Sequence, residues 1–154
     1  MIPKEKVHSV IMSAIDGTSI FLVDIRIDTA NRISVEVDKP EGITIEECVN
    51  ISRAIESSLD REVEDYELEV SSPGLTEAFK VVEQYHKNLG RMVDVLKKDG
   101  QKVNGQMQSV DDYGILLEVK MKVREEGKKR SKIIKQPVPI KYEDIKATKV
   151  IITF

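Results

Sequence analysis

Tyr66-Glu67-Leu68-Glu69-Val70-Ser71-Ser72-Pro73-Gly74 marks the point at which this 154-residue chain changes its grammar. Tyr66, Leu68 and Val70 alternate with Glu67 and Glu69, the period of a strand with one buried face. Ser71-Ser72-Pro73-Gly74 then ends the pattern abruptly. Proline brings no amide to a ladder and fixes φ near about −65°, while glycine permits φ > 0. Upstream of this stretch helical and strand patterns alternate; downstream there are short strands and turns.

Working back towards the N-terminus, Val7, Val10, Ile11, Ala14 and Ile15 form one helical stripe, with Pro3 suited to its first turn and Gly17 to its stop. Ser19 to Asp28 predicts a strand with Phe21, Val23, Ile25 and Ile27 on one face. After the turn Asp28-Thr29-Ala30-Asn31, Ile33, Val35 and Val37 alternate with polar residues, predicting an antiparallel partner. Thr44-x-x-Glu47 is a capping box, and the helix behind it is expected to turn Ile45, Cys48, Val49, Ser52, Ile55 and Leu59 inward. The order α-β-β-α-β predicts an acidic α+β domain over residues 1–75, with both helices on one face of a three-stranded sheet.

Beyond it, Val81, Val82, Tyr85 and Leu89 suggest a short helical connector across residues 76–89, closed by Asn88 and Gly90. Residues 90–154 read as an all-β domain. Strands are expected at Met92 to Leu96, Lys102 to Val110, Ile115 to Val123, Val138 to Ile140 and Ala147 to Thr153, with a single helical turn at Tyr142 to Ile145. Asp99-Gly100 is a hairpin turn, and Gly105 is where a bend or bulge would cost least. Five short strands with one bend predict a small SH3-like or Sm-like barrel.

The charge is split along the same line. Met1 to Glu77 carries 7 Lys/Arg against 17 Asp/Glu, a net −10, whereas Ala78 to Phe154 carries 17 against 10, a net +7. Such asymmetry hints at a nucleic-acid or basic-protein partner. No apolar run approaches the ~20 residues of a membrane span. The N-terminus runs straight into an amphipathic pattern with no cleavable signal, so a cytoplasmic protein is expected. Cys48 is the only cysteine, which excludes an intramolecular disulfide and a cysteine-based zinc site.

Little in the chain supports catalysis. Gly100-x-x-x-x-Gly105 has the glycine spacing of a phosphate loop, but Gln106 and Met107 stand where Lys and Ser/Thr are required. Ser71 and Ser72 lack a nucleophile-elbow context, and neither His8 nor His86 is near them in sequence. The run Asp60, Glu62, Glu64, Asp65 reads as a solvated loop, and Cys48 as a small apolar residue of its helix. No enzyme, cofactor or metal is expected.

The basic segment is better placed for function. A Lys/Arg-rich hairpin is expected over residues 120–136, with Lys120, Lys122, Arg124, Lys128, Lys129, Arg130 and Lys132 as candidate RNA contacts, and Lys135 beside them. Lys120, Lys122 and Arg124 alternate with Met121 and Val123, so the three cations share one face, and Glu126-Gly127-Lys128 reads as the tip. Such a finger neutralises phosphates and releases counterions. Without aromatics, it does not suggest base stacking. The bland reading is a soluble loop whose lysines protect an edge strand.

Leu68-Glu69-Val70-Ser71-Ser72-Pro73-Gly74-Leu75 resembles the signature of ribosome maturation factor RimP, a bacterial assembly factor of the small ribosomal subunit. Val37-Asp38-Lys39-Pro40, Gly42-Ile43-Thr44, Cys48, Ser52-Arg53-Ala54-Ile55, Leu89-Gly90-Arg91 and Gly105 agree with it, so the resemblance spans nearly the whole chain. Two departures stand out. Thr76-Glu77-Ala78 replaces the usual Asp-Arg-Pro, so contacts of that arginine do not transfer. The segment Lys120 to Gln136 is longer and more basic than the usual connection.

The resemblance implies a non-enzymatic factor for maturation of the 30S subunit, a monomer that binds the immature particle near the small-subunit ribosomal protein numbered twelve, with no membrane partner. On charge, the acidic domain and the junction residues Ser71, Ser72, Pro73, Gly74 and Leu75 would meet the basic ribosomal protein, and the basic finger rRNA. The alternative is an Sm-like RNA-binding regulator whose barrel assembles into a ring. The acidic domain and the scarcity of aromatics weigh against it, and a monomeric mass would separate the two.

Overall fold

Two helices cover one face of a three-stranded sheet in the first part of the computed structural model, which describes residues 1–124, 126–127 and 131–152. The chain divides into two units, Met1–Gly74 and Leu75–Phe154. The first contains α1 (Lys4–Ile15), β1 (Phe21–Ile27), β2 (Arg32–Asp38), α2 (Ile45–Ser58) and β3 (Glu67–Ser71), with strand order β1-β2-β3. β1 and β2 are antiparallel. Asp28 Oδ1 closes their turn by accepting from the Ala30 and Arg32 amides at 2.9 and 3.0 Å. β2 and β3 are parallel. Parallel neighbours cannot be joined by a tight turn, so the chain crosses over through α2.

Val7, Ile11 and Ile15 of α1, Ile25 of β1, Ile33, Val35 and Val37 of β2, Ile51 and Ile55 of α2, and Tyr66 make the buried core. Two expectations need correction. The β1–β2 register shifts between Leu22 and Asp24. This bulge reverses the phase of β1: Leu22 packs on the core together with Ile25 and Ile27, whereas Val23 is buried outside it. In α2, Ile51 rather than Ile45 faces inward. Ile45 is 85% exposed and Val49 39%, while Ile51 and Ile55 are fully enclosed.

The capping box forms as expected. Thr44 Oγ1 accepts from the Glu47 amide at 3.1 Å, and Glu47 Oε1 accepts from the Thr44 amide at 3.0 Å. Lys39 Nζ lies 3.0 Å from Glu47 Oε2. The Lys39 hydrogen bond, then the Thr44 amide, hold the Glu47 carboxyl below its usual range. The same hydrogen bond raises Lys39.

The second unit holds α3 (Val82–Lys87) and five strands: β4 (Met92–Lys97), β5 (Lys102–Val110), β6 (Gly114–Val123), β7 (Lys132–Lys141) and β8 (Ile145–Val150). They form an antiparallel sheet ordered β7-β6-β5-β4-β8, a barrel-like domain around Val93, Val95, Met107, Ile115, Leu117 and Ile140. A 3-10 turn at Tyr142–Asp144 leads into β8. Residues 76–89, expected as a connector, pack on this sheet. The Phe79 amide donates to Thr148 O at 2.8 Å, the buried Tyr85 hydroxyl lies 2.8 Å from Thr148 Oγ1, and Phe79 and Tyr85 meet edge to face.

β7 is ten residues long, not the three of Val138 to Ile140, because Pro137 and Pro139 sit on an edge strand, where a missing amide costs the ladder nothing. β8 runs from Ile145 to Val150, earlier than expected; Thr153 lies outside the described residues. Gly105 makes no bulge. It stays paired with Val93, and the β5 irregularity falls between Met107 and Ser109. Its glycine instead serves close approach: a Cβ there would sit 2.8 Å from Glu118 O. Gly114 is tighter still, with Ile140 O and, at 2.8 Å, Lys141 Cα in the way.

Three variants check this account. Gly114→Ala is expected to destabilise the second unit by about 1–3 kcal/mol, the cost of overpacking a rigid site, read by denaturant unfolding. Thr44→Ala removes the α2 cap and should cost about 1 kcal/mol. Because the folded-state pKa of Glu47 is depressed, its contribution is present above the ordinary glutamate value and is lost as pH falls through the lower folded value. Glu47→Gln should therefore flatten the acid limb of the melting-temperature profile; an unchanged limb would count against the box.

Candidate protein- and nucleic-acid-binding surfaces

Three surfaces are built by these elements. The first is the junction. Ser71 ends β3, paired with Glu36 across the parallel ladder. Ser72 and Gly74 are exposed, Pro73 is half-buried, and Leu75 is 74% exposed. The strand stops at Ser71, two residues before Pro73, which brings no amide to a ladder.

The second is the hairpin of β6 and β7. Their register runs through Lys120↔Lys135, Met121↔Ile134, Lys122↔Ile133 and Val123↔Lys132. Residues directly opposite share a face. One face therefore carries Lys120, Lys122 and Lys135 with Ile133; the other carries Met121, Val123 and Ile134 with Lys132. All of these are exposed. Lys120 and Lys122 fall on one side of their strand, Lys132 belongs to the opposite side, and Arg124 follows the end of β6 at Val123. Lys135 Nζ is 3.6 Å from Glu118 Oε1, which offsets part of its charge. Glu126 and Gly127 form a turn, with Gly127 at φ 82°. Lys128, Lys129 and Arg130 lie outside the described residues.

The third has no counterpart among the sequence-based expectations. Ile43, Thr44, Ile45, Cys48, Val49 and Ser52 face Val70 and Ser72 across a groove of about 250 Å³. Burial, with a smaller effect of Glu47 and Asp38, pushes the Cys48 thiol up. The signal is present in α2: Cys48, Ile51 and Ile55 make one stripe and Ile45, Val49 and Ser52 a second. Together they span more of the helix than one narrow sheet covers.

His8 lies exposed on α1 and His86 exposed on α3. Among the described residues no group of three or more His, Cys, Asp or Glu could hold a metal ion. No helix among them is long and apolar enough to cross a membrane.

Known proteins with similar sequences bear on what these surfaces are for. Ribosome maturation factor RimP of Porphyromonas gingivalis (strain W83) is 41% identical over 146 residues, covering 95% of this chain and 96% of its own. The chain belongs to the RimP family. Residues 10–76 match the model of the RimP N-terminal domain, a span that includes the groove and the junction residues Ser71 to Leu75. RimP of Christiangramia forsetii is 36% identical and RimP of Flavobacterium psychrophilum 33%, each over 152 residues and 98% of this chain. The likeness to RimP proteins therefore extends through the second unit and its hairpin.

Proposed function

We propose that this RimP-family chain is an assembly cofactor required for maturation of the small (30S) ribosomal subunit. It acts as a cytoplasmic monomer without catalysis or cofactor, and it binds the free pre-subunit through the basic small-subunit ribosomal protein numbered twelve and through rRNA. The observation that carries the division of labour is the opposed charge of the two units. Met1–Gly74 holds 7 Lys/Arg against 16 Asp/Glu, net −9, and Leu75–Phe154 holds 17 against 11, net +6. An acidic surface repels phosphates and attracts a basic protein; a cationic one does the reverse.

In this reading Ser71, Ser72, Pro73, Gly74 and Leu75 lie at the ribosomal-protein contact. Lys120 and Lys122 meet phosphates along one side of the hairpin and Lys132 does so from the other, while Arg124, Lys128, Lys129 and Arg130 contribute further cationic charge to the RNA contact. The membership of a family of ribosome maturation factors over nearly the full chain supports the overall assignment.

Gradient sedimentation of lysate tests it: the protein should travel with free small subunits and be absent from translating ribosomes. Equal recovery with translating ribosomes would reject an assembly role. For the RNA contact, Lys120→Gln with Lys122→Gln should reduce the slope of log affinity against log salt by roughly 1.5–2, near one unit for each phosphate no longer neutralised. An unchanged slope would remove this side of the hairpin from the RNA interface.

A further inference from the structure

The first unit leaves one sheet edge unlike the others. β3 is the last strand of its sheet. The Glu67 amide donates inward to Asn31 O at 3.0 Å, so the Leu68 and Val70 amides, of alternate parity, point to the open side. The other outer strands carry devices that discourage pairing. β1 has its bulge and exposed Arg26; β7 has Pro137, Pro139 and its lysines; β8 has exposed Lys146 and Lys149. β3 has no proline, and its register with β2 is unbroken.

Beside this edge lies the groove. α2 packs on α1 and β3, while α1 packs on β1. The α2 stripe farthest from the core, Ile45 and Val49 with Ser52, overhangs the end of β3 and forms the groove with Val70 and Ser72. The exposed Ile45 leaves apolar surface in water that burial would remove at a gain of about 25 cal/mol per Å². Carboxylates stand on the same two elements, with Glu67 and Glu69 of opposite parity to Val70 and so on the other face of β3. Glu46 lies in the first turn of α2, and Glu67 and Glu69 are exposed on β3; none of the three makes an ion pair among the described residues. Their repulsion disfavours β3 pairing with a second copy of itself. The same charges favour a cationic strand.

We infer that an extended, Lys/Arg-bearing segment of the basic ribosomal protein adds to the open edge of β3 and seats an apolar side chain in the groove against Ile45 and Val49. Main-chain hydrogen bonds to Leu68 and Val70 give affinity; the groove on one face of the added strand and the Glu67 and Glu69 carboxylates on the other give selectivity. This mode rests on the protein-binding half of the function proposed above, and it names where that contact is made.

The test titrates the full chain with purified small-subunit protein twelve. Ile45→Asp is the informative variant. Its side chain is exposed, and an acidic residue in the first turn suits the helix dipole, so the melting temperature should hold. Binding should weaken tenfold or more, and Glu67→Lys with Glu69→Lys should weaken it further through charge. In the wild-type complex, Leu68 and Val70 amides should gain hydrogen-exchange protection. Wild-type binding that Ile45→Asp leaves intact, or complex formation with no change at those amides, would overturn the docking mode while leaving the proposed function standing. No wild-type binding would overturn both.

Discussion

The parallel pairing of β2 with β3 is the constraint from which the first unit follows. Two parallel neighbours need a long crossover, and α2 supplies it. The crossover must bury a face against the sheet, which fixes Ile51 and Ile55 inward and leaves α1 to cover β1. Because the sheet stops at β3, α2 has more apolar width than the sheet has surface. The groove is the remainder, and it opens where Val70 and Ser72 lead the chain into the junction.

The second unit is governed by closeness of backbones rather than by a crossover. At Gly105 and Gly114 neighbouring strands approach so nearly that any Cβ would strike a carbonyl oxygen. That proximity is how a small antiparallel sheet encloses Met107 and Leu117 with few large side chains. Tyr85 completes the enclosure from α3, its hydroxyl satisfied by Thr148 and its ring set against Phe79 and Tyr142. The β6–β7 hairpin continues past this core, which is why its far end alternates between cationic and apolar side chains with both exposed.

Much of this is readable in the residues. The α-β-β-α-β order, the Thr44–Glu47 box and the change of pattern after Ser71 all rest on local rules of period and capping, and local rules survive folding. What escapes depends on partners distant in sequence. The bulge in β1 is set by its register with β2, so alternation alone misassigns Val23. Ile45 fits an inward stripe as well as Ile51 does until the width of the sheet is known. Pro137 and Pro139 argue against a strand unless that strand lies at an edge, and edge status is a property of the whole sheet. Gly105 reads as a bend because the carbonyl it accommodates belongs to another strand. At the candidate sites, the shared side of Lys120 and Lys122 follows from alternation, whereas the opposite placement of Lys132 needs the hairpin register.

Cys48 lines the groove beside Ile45 and Val49, and it is the chain's single thiol. The native sequence thus carries its own attachment point for a fluorescent or spin reporter, with no engineered residue and no competing thiol. Since burial raises the thiol's pKa, coupling is best done in mildly alkaline buffer, where more of it is the reactive thiolate. A dye placed there would register occupancy of the cleft in real time, turning a crevice between a helix and a strand end into a kinetic probe of the wild-type surface.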